Sequence, residues 1–97
     1  MRRLEINPLA EEDAAAAEEW YASGGKQIAE EFTAALRAAF IRIAEHPDRF
    51  HFDRSGFRRL NLKKFPYHIL FKERPGMVRI IALRHNKQSP GYGTRRK

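Results

Sequence analysis

Ile28, Phe32, Leu36, Phe40 and Ile43 recur at steps of four, four, four and three. That spacing aligns one face of an α-helix and is the strongest periodic signal in the chain. With Ala29, Ala35, Ala39 and Ala44 flanking it, the stretch from about Lys26 to Glu45 is predicted to be a helix, ended by His46-Pro47. A weaker stripe precedes it. Ala10, Ala14, Ala17 and Tyr21 fall at steps of four, three and four within an alanine-rich run from Pro8 to about Ser23. Asn7-Pro8 supplies a cap and a first-position proline, and Glu11, Glu12 and Asp13 load the positive end of the helix dipole. Trp20 and Tyr21 are expected in the core. Gly24-Gly25 separates the two helices, which should fold as an antiparallel hairpin.

Outside the helices the period shortens. Arg3-Leu4-Glu5-Ile6 alternates as a short strand does. Residues 48–56 read as a loop. Phe57 to Lys64 alternates loosely and is broken by Phe65-Pro66, since proline cannot donate to a central ladder. Tyr67 to Arg74 and Met77 to His85 are two further strands around a Pro75-Gly76 turn. Ile80, Ile81, Ala82 and Leu83 are apolar in succession, as in a central strand covered on both faces over part of its length. Residues 86–97 form a polar tail. The expected order is β-α-α-β-β-β. This is an α+β fold, with a two-helix antiparallel hairpin packed on a small, mainly antiparallel four-stranded sheet, in one domain spanning residues 1–97.

Charge changes this picture by giving the molecule two ends. Residues 47–97 hold 14 Lys/Arg against 3 Asp/Glu, whereas residues 1–46 hold 5 against 9. The basic half is threaded with Phe57, Phe65, Tyr67, Phe71 and Tyr92. Cations with interleaved rings suit a polyanion such as nucleic acid, and an acidic protein partner fits the same charges. With the helices on one face of the sheet, the cations are expected on the other face or at its ends. The plainer reading is a solvated basic face. No apolar run approaches the ~20 residues of a membrane span, and no apolar stretch of ~7–15 residues follows Met1–Ile6 as in a secretory signal. With no cysteine there is no disulfide framework. The expected location is cytoplasmic.

Candidate chemistry is sparse. His46, His51, His68 and His85 lack ligand spacing, no glycine-rich phosphate loop is present, and no carboxylate pair stands out. No metal and no cofactor are expected. What remains is a set of Lys63, Arg79, Arg84, His85, Lys87 and Tyr92. Such groups could supply the base, the cations and the acid for RNA cleavage by 2′-hydroxyl attack, or bind phosphate without chemistry. Arg58, Arg59, Lys63 and Lys64 read either as nucleic-acid- or partner-binding cations, together with Lys87, or as edge charges that discourage sheet-to-sheet aggregation. His68 lies in an apolar strand and reads as structural. His85 reads as a strand-end packing residue or a base.

Four stretches together resemble the RelE/ParE superfamily, the toxin halves of type II toxin–antitoxin systems. They are Ala-Glu-Glu-Trp-Tyr at 17–21, the second helix at 32–47, Arg-Arg-Leu-Asn-Leu-Lys-Lys-Phe-Pro-Tyr-His-Ile-Leu-Phe at 58–71, and Val-Arg-Ile-Ile-Ala-Leu-Arg-His at 78–85 followed by Pro90-Gly91-Tyr92. The Phe-Pro-Tyr strand and the ending are closer to the ParE-like branch, with two departures: Gln88 stands where a basic residue is common, and Gly93 where Trp is common.

The resemblance implies a growth-inhibiting toxin associated with plasmid stabilisation and neutralised by a co-encoded antitoxin. It leaves two targets open. ParE-like members inhibit DNA gyrase and are not enzymes. RelE-like members are endoribonucleases that cut ribosome-bound mRNA, for which Lys63, Arg79, Arg84, His85 and Tyr92 are the catalytic candidates. A non-toxic or degenerate basic nucleic-acid- or protein-binding module is the alternative.

Overall fold

The computed structural model describes residues 1–97. Strand β1 (Arg3–Ile6) leads into α1 (Pro8–Ala22) and α2 (Lys26–Glu45), followed by β2 (Arg58–Asn61), β3 (Tyr67–Arg74) and β4 (Met77–His85). The sheet order is β1-β4-β3-β2. β2–β3 and β3–β4 are antiparallel, while β1 joins β4 in parallel, with Arg3 opposite Met77 and Ile6 opposite Ile80. The sheet is therefore mixed. The long helical crossover from β1 is what makes a parallel pair possible, since a tight hairpin cannot connect one.

The helix boundaries follow their punctuation. The Asn7 side chain accepts from the Leu9 N–H at 2.8 Å, capping α1 with Pro8 inside its first turn. Gly25 has φ of 124°, a conformation that suits a residue without a Cβ, and α2 begins immediately after it. Between the hairpin and the sheet lie Phe32, Leu36, Ala39 and Ile43 of α2, Ala10 and Ala17 of α1, and Leu60, Ile69, Phe71, Val78, Ile80 and Leu83 of the strands. The alanines of α1 bring its backbone close to β4, and Tyr21 stacks on Phe32 at 4.7 Å.

Three expectations change. Trp20 is 71% exposed, not core. The buried stripe of α1 runs to Tyr21, and Trp20 lies about 100° around the helix from it. Strand β2 is half the expected length. After Leu62, whose N–H reaches the Tyr67 carbonyl at 2.9 Å, the chain turns and sends Phe65 back under the hairpin against Tyr21 and Phe32. The face of the sheet away from the helices is also less bare than expected. Leu70, Ile81 and Ala82 form a second small core under Phe57. A bulge produces it: Leu70 faces Ala82 and Phe71 faces Ile80, leaving Ile81 as the extra residue. This is how four successive apolar residues of β4 serve both faces.

Candidate functional site

The C-terminal segment folds back onto that second face, and an acid from α1 fastens it. Strand β1 ends at Ile6, so the outer edge of β4 beyond Ile80 has no strand beside it. Asp13 of α1 and Arg96 of the segment supply the missing partners. The Leu83 N–H donates to Asp13 Oδ2 at 3.2 Å, and Arg96 Nη1 donates to the Ile81 carbonyl at 3.2 Å. Asp13 also accepts from the Tyr92 hydroxyl and from Arg96 Nη1, each at 2.6 Å. The hydrogen bond to Asp13, aided by burial, pushes the Tyr92 hydroxyl above its ordinary pKa. The Lys97 carbonyl accepts from Arg79 Nε and Asn7 Nδ2, each at 3.1 Å. Gly93 has φ of 76°, and a Cβ there would lie 2.9 Å from that of Ala82. The position where the resemblance leads one to expect Trp is thus a left-handed residue pressed onto the sheet.

A second polar cluster lies beside it. Arg84 is 3% exposed. Its Nη2 lies 3.3 Å from Asp53 Oδ1, its Nη1 donates to the Pro90 carbonyl at 2.6 Å, and its Nε donates to His68 Nε2 at 2.8 Å. Because His68 Nε2 accepts that bond, its proton sits on Nδ1 and is donated to Asn86 Oδ1 at 2.7 Å. Asp53 also takes Arg59 Nη1 at 3.0 Å and the Ser55 N–H at 3.0 Å. Burial raises the Asp53 carboxyl, but the Ser55 hydrogen bonds, Arg59 and Arg84 outweigh it and hold the group well below the usual carboxylate range. Every buried side-chain polar atom in the molecule has a partner.

His68 gives this cluster a pH dependence. Burial, with Arg59 and Arg84 alongside, lowers its pKa from 6.5, against the opposing pull of Asn86 and Asp53. The unfolded chain therefore takes up the proton first. The stabilisation from neutral His68 is complete above pH 6.5 and is lost as pH falls toward the lowered folded value. Urea denaturation across this window should show stability falling on acidification, and His68→Gln, which cannot titrate, should flatten that limb. An unchanged slope in the variant would assign the acid sensitivity to other groups.

The remaining candidates are dispersed. Arg79 pairs with Glu5 at 3.7 Å on the face that the C-terminal segment crosses. His85 is half-buried, edge-on to Tyr67 at 5.0 Å, and its Nδ1 accepts from the Lys87 N–H at 3.0 Å. Lys87 is exposed in the turn after β4. Lys63 and Lys64 are exposed on the helix side of edge strand β2. There they line a groove of about 470 Å³ with Ala34, Ala35 and Ala38 of α2. Arg58 donates to the Phe50 carbonyl at 2.6 Å. Arg79, Arg84 and Tyr92 are thus gathered around the C-terminal segment, and Lys63 is not among them. No group of three or more His, Cys, Asp or Glu is arranged to hold a metal ion, and no helix is long and apolar enough to cross a membrane.

Asp13 and Asp53, the anchors of both clusters, were not singled out from the sequence. Asp13 carried a usable signal: it lies three residues after Ala10 and four before Ala17, on the buried stripe of α1.

Comparison with known families places these elements in context. The family model described as ParE toxin of type II toxin-antitoxin system, parDE, matches residues 4–90. That span includes both helices and all four strands except the first residue of β1, and it stops before Tyr92. No curated protein matches the chain.

Proposed function

Because the chain belongs to the ParE toxin family of type II toxin–antitoxin systems, which implies a cognate antitoxin, we propose that it inhibits growth by binding DNA gyrase and not by cutting RNA. The carrying observation is that two of the groups a nuclease would need, Arg84 and Tyr92, already have partners inside the chain. Arg84 is buried against Asp53 and the Pro90 carbonyl, and the Tyr92 hydroxyl is spent on Asp13. A general acid or base must reach the proton it transfers, and a transition-state cation must face the reacting phosphate. Inhibition by binding makes neither demand. It needs only a shaped, charged surface, such as the groove that exposed Lys63 and Lys64 line with α2.

The antitoxin, in this reading, contributes a small acidic or amphipathic segment that covers the basic face or the helix hairpin, with salt weakening the part of the attraction between exposed charges. Purified gyrase with excess protein should lose supercoiling activity and accumulate trapped cleavage complexes, while mRNA in translating ribosomes stays intact. Full supercoiling together with A-site cuts in mRNA would reverse the assignment. Normal growth on inducing the gene alone would point to a non-toxic binding module acting in the cytoplasm.

A further inference from the structure

A cleft of about 580 Å³ opens where β2 stops covering β3. The two strands pair only as far as Arg58 opposite Phe71. Beyond that, Lys72, Glu73 and Arg74 line the cleft with Arg2, Arg58 and Phe52. Four cations thus meet one carboxylate. Glu73 is shared between Arg2 at 3.6 Å and Arg58 at 3.8 Å. Lys72 and Arg74 take part in no salt bridge. Lys72 also stands directly across from Arg79 in the β3–β4 ladder. Like charges placed opposite one another destabilise a sheet; Arg79 is paired with Glu5, whereas Lys72 has no carboxylate within ion-pair distance.

Phe52 is the second observation. It is 62% exposed, although it is held in place by a bridge to Arg58. The Arg58 guanidinium lies 4.3 Å from the ring centroid and is itself tied to the Phe50 carbonyl. An arginine therefore backs the ring and fixes its plane, and most of its surface faces water at the mouth of a cationic cleft.

We infer that this cleft binds single-stranded nucleic acid, with a base stacked on Phe52 and adjacent phosphates on Lys72 and Arg74. Rings stack any base, whatever its identity, and the cations meet the backbone. A duplex hides its base faces from such a ring. An acidic peptide satisfies the cations but has no use for an arginine-backed aromatic plane. The site adjoins the C-terminal segment through Lys72, which lies across from Arg79, and the inference does not depend on the toxic target.

The test is fluorescence anisotropy of the full chain with a labelled oligothymidylate of about 12 nucleotides, a length within the range such surfaces cover. Phe52→Ala should weaken binding about 5- to 150-fold, the equivalent of the ~1–3 kcal/mol of one stacked base. Lys72→Ala/Arg74→Ala should lower the log–log salt slope by about 1.4, at roughly 0.7 for each phosphate no longer neutralised. Arg37→Ala, which removes an exposed cation on α2, should change neither. Three results overturn the inference: Phe52→Ala binding as the parent does, Arg37→Ala weakening binding as much as Lys72→Ala/Arg74→Ala, or polyglutamate of matched charge displacing the oligonucleotide equally well. All the targeted side chains lie at the surface, and a far-ultraviolet circular dichroism spectrum matching the parent's confirms that each variant folds.

Discussion

Asp53→Ala should destabilise the protein by about 3–5 kcal/mol, the cost of stranding a buried charge. The change leaves the Arg84 guanidinium, with 4% of its side chain exposed, without its only carboxylate. It also removes the acceptor for Arg59 Nη1 and for the Ser55 N–H. A domain of this size has only about 5–15 kcal/mol in total, so the variant should lie near its folding threshold. Urea denaturation at neutral pH measures the loss. Replacing both partners, as Asp53→Ala/Arg84→Met, should recover much of it, because an apolar side chain of similar length leaves no charge to desolvate. A single-variant cost below ~1 kcal/mol would mean that water reaches Arg84 freely and that the pair is a surface one in energetic terms. The double variant also separates stability from function: if growth inhibition survives in it, Arg84 serves the fold and not the target.

Phe32→Ala should cost a similar amount, about 3–5 kcal/mol, through a different mechanism. The ring is fully buried, 4.7 Å from Tyr21, 5.1 Å from Phe65 and 5.6 Å from Tyr67 between centroids. These four rings join α1, α2, the turn before β3 and the start of β3, so the cavity left by truncation sits where four segments meet and cannot close by the shift of one. Ile41→Ala on the exposed side of the same helix should change stability by less than ~0.5 kcal/mol. Thermal melts of the two variants test this contrast. Near-equal midpoints would show that the aromatic cluster repacks around the gap.

The elements were readable because each carried its signal within a few residues. The step of three and four from Ile28 to Ile43, the Asn7-Pro8 cap and the Pro75-Gly76 turn are local, and helices and strands stand where those features predict. The second face of β4 was equally legible from the run Ile80–Leu83. The polar clusters were not. Asp13 contacts residues near the far end of the chain, and Asp53 meets Arg84 only after β2 and β3 have been laid down between them. A carboxylate in a loop looks the same on paper whether it is solvated or neutralises a buried arginine. Trp20 misled for a related reason. Size and apolarity argue for burial, but a rotation of one residue around α1 decides it. The candidate cations were found by composition, which identified the basic half correctly and gave no information on which of them the fold would enclose.

The parallel pairing of β1 with β4 has a consequence for how the protein comes into being. Strand β1, made before the other three, has to wait for β4, since Arg3 pairs with Met77. A nascent chain ending short of Met77 can assemble the helical hairpin from nearby contacts, but it lacks the strand on which β1, β3 and α1 all converge. Biosynthesis thus postpones the finished shape until β4 has been translated, and partial products are left without the centre of the sheet.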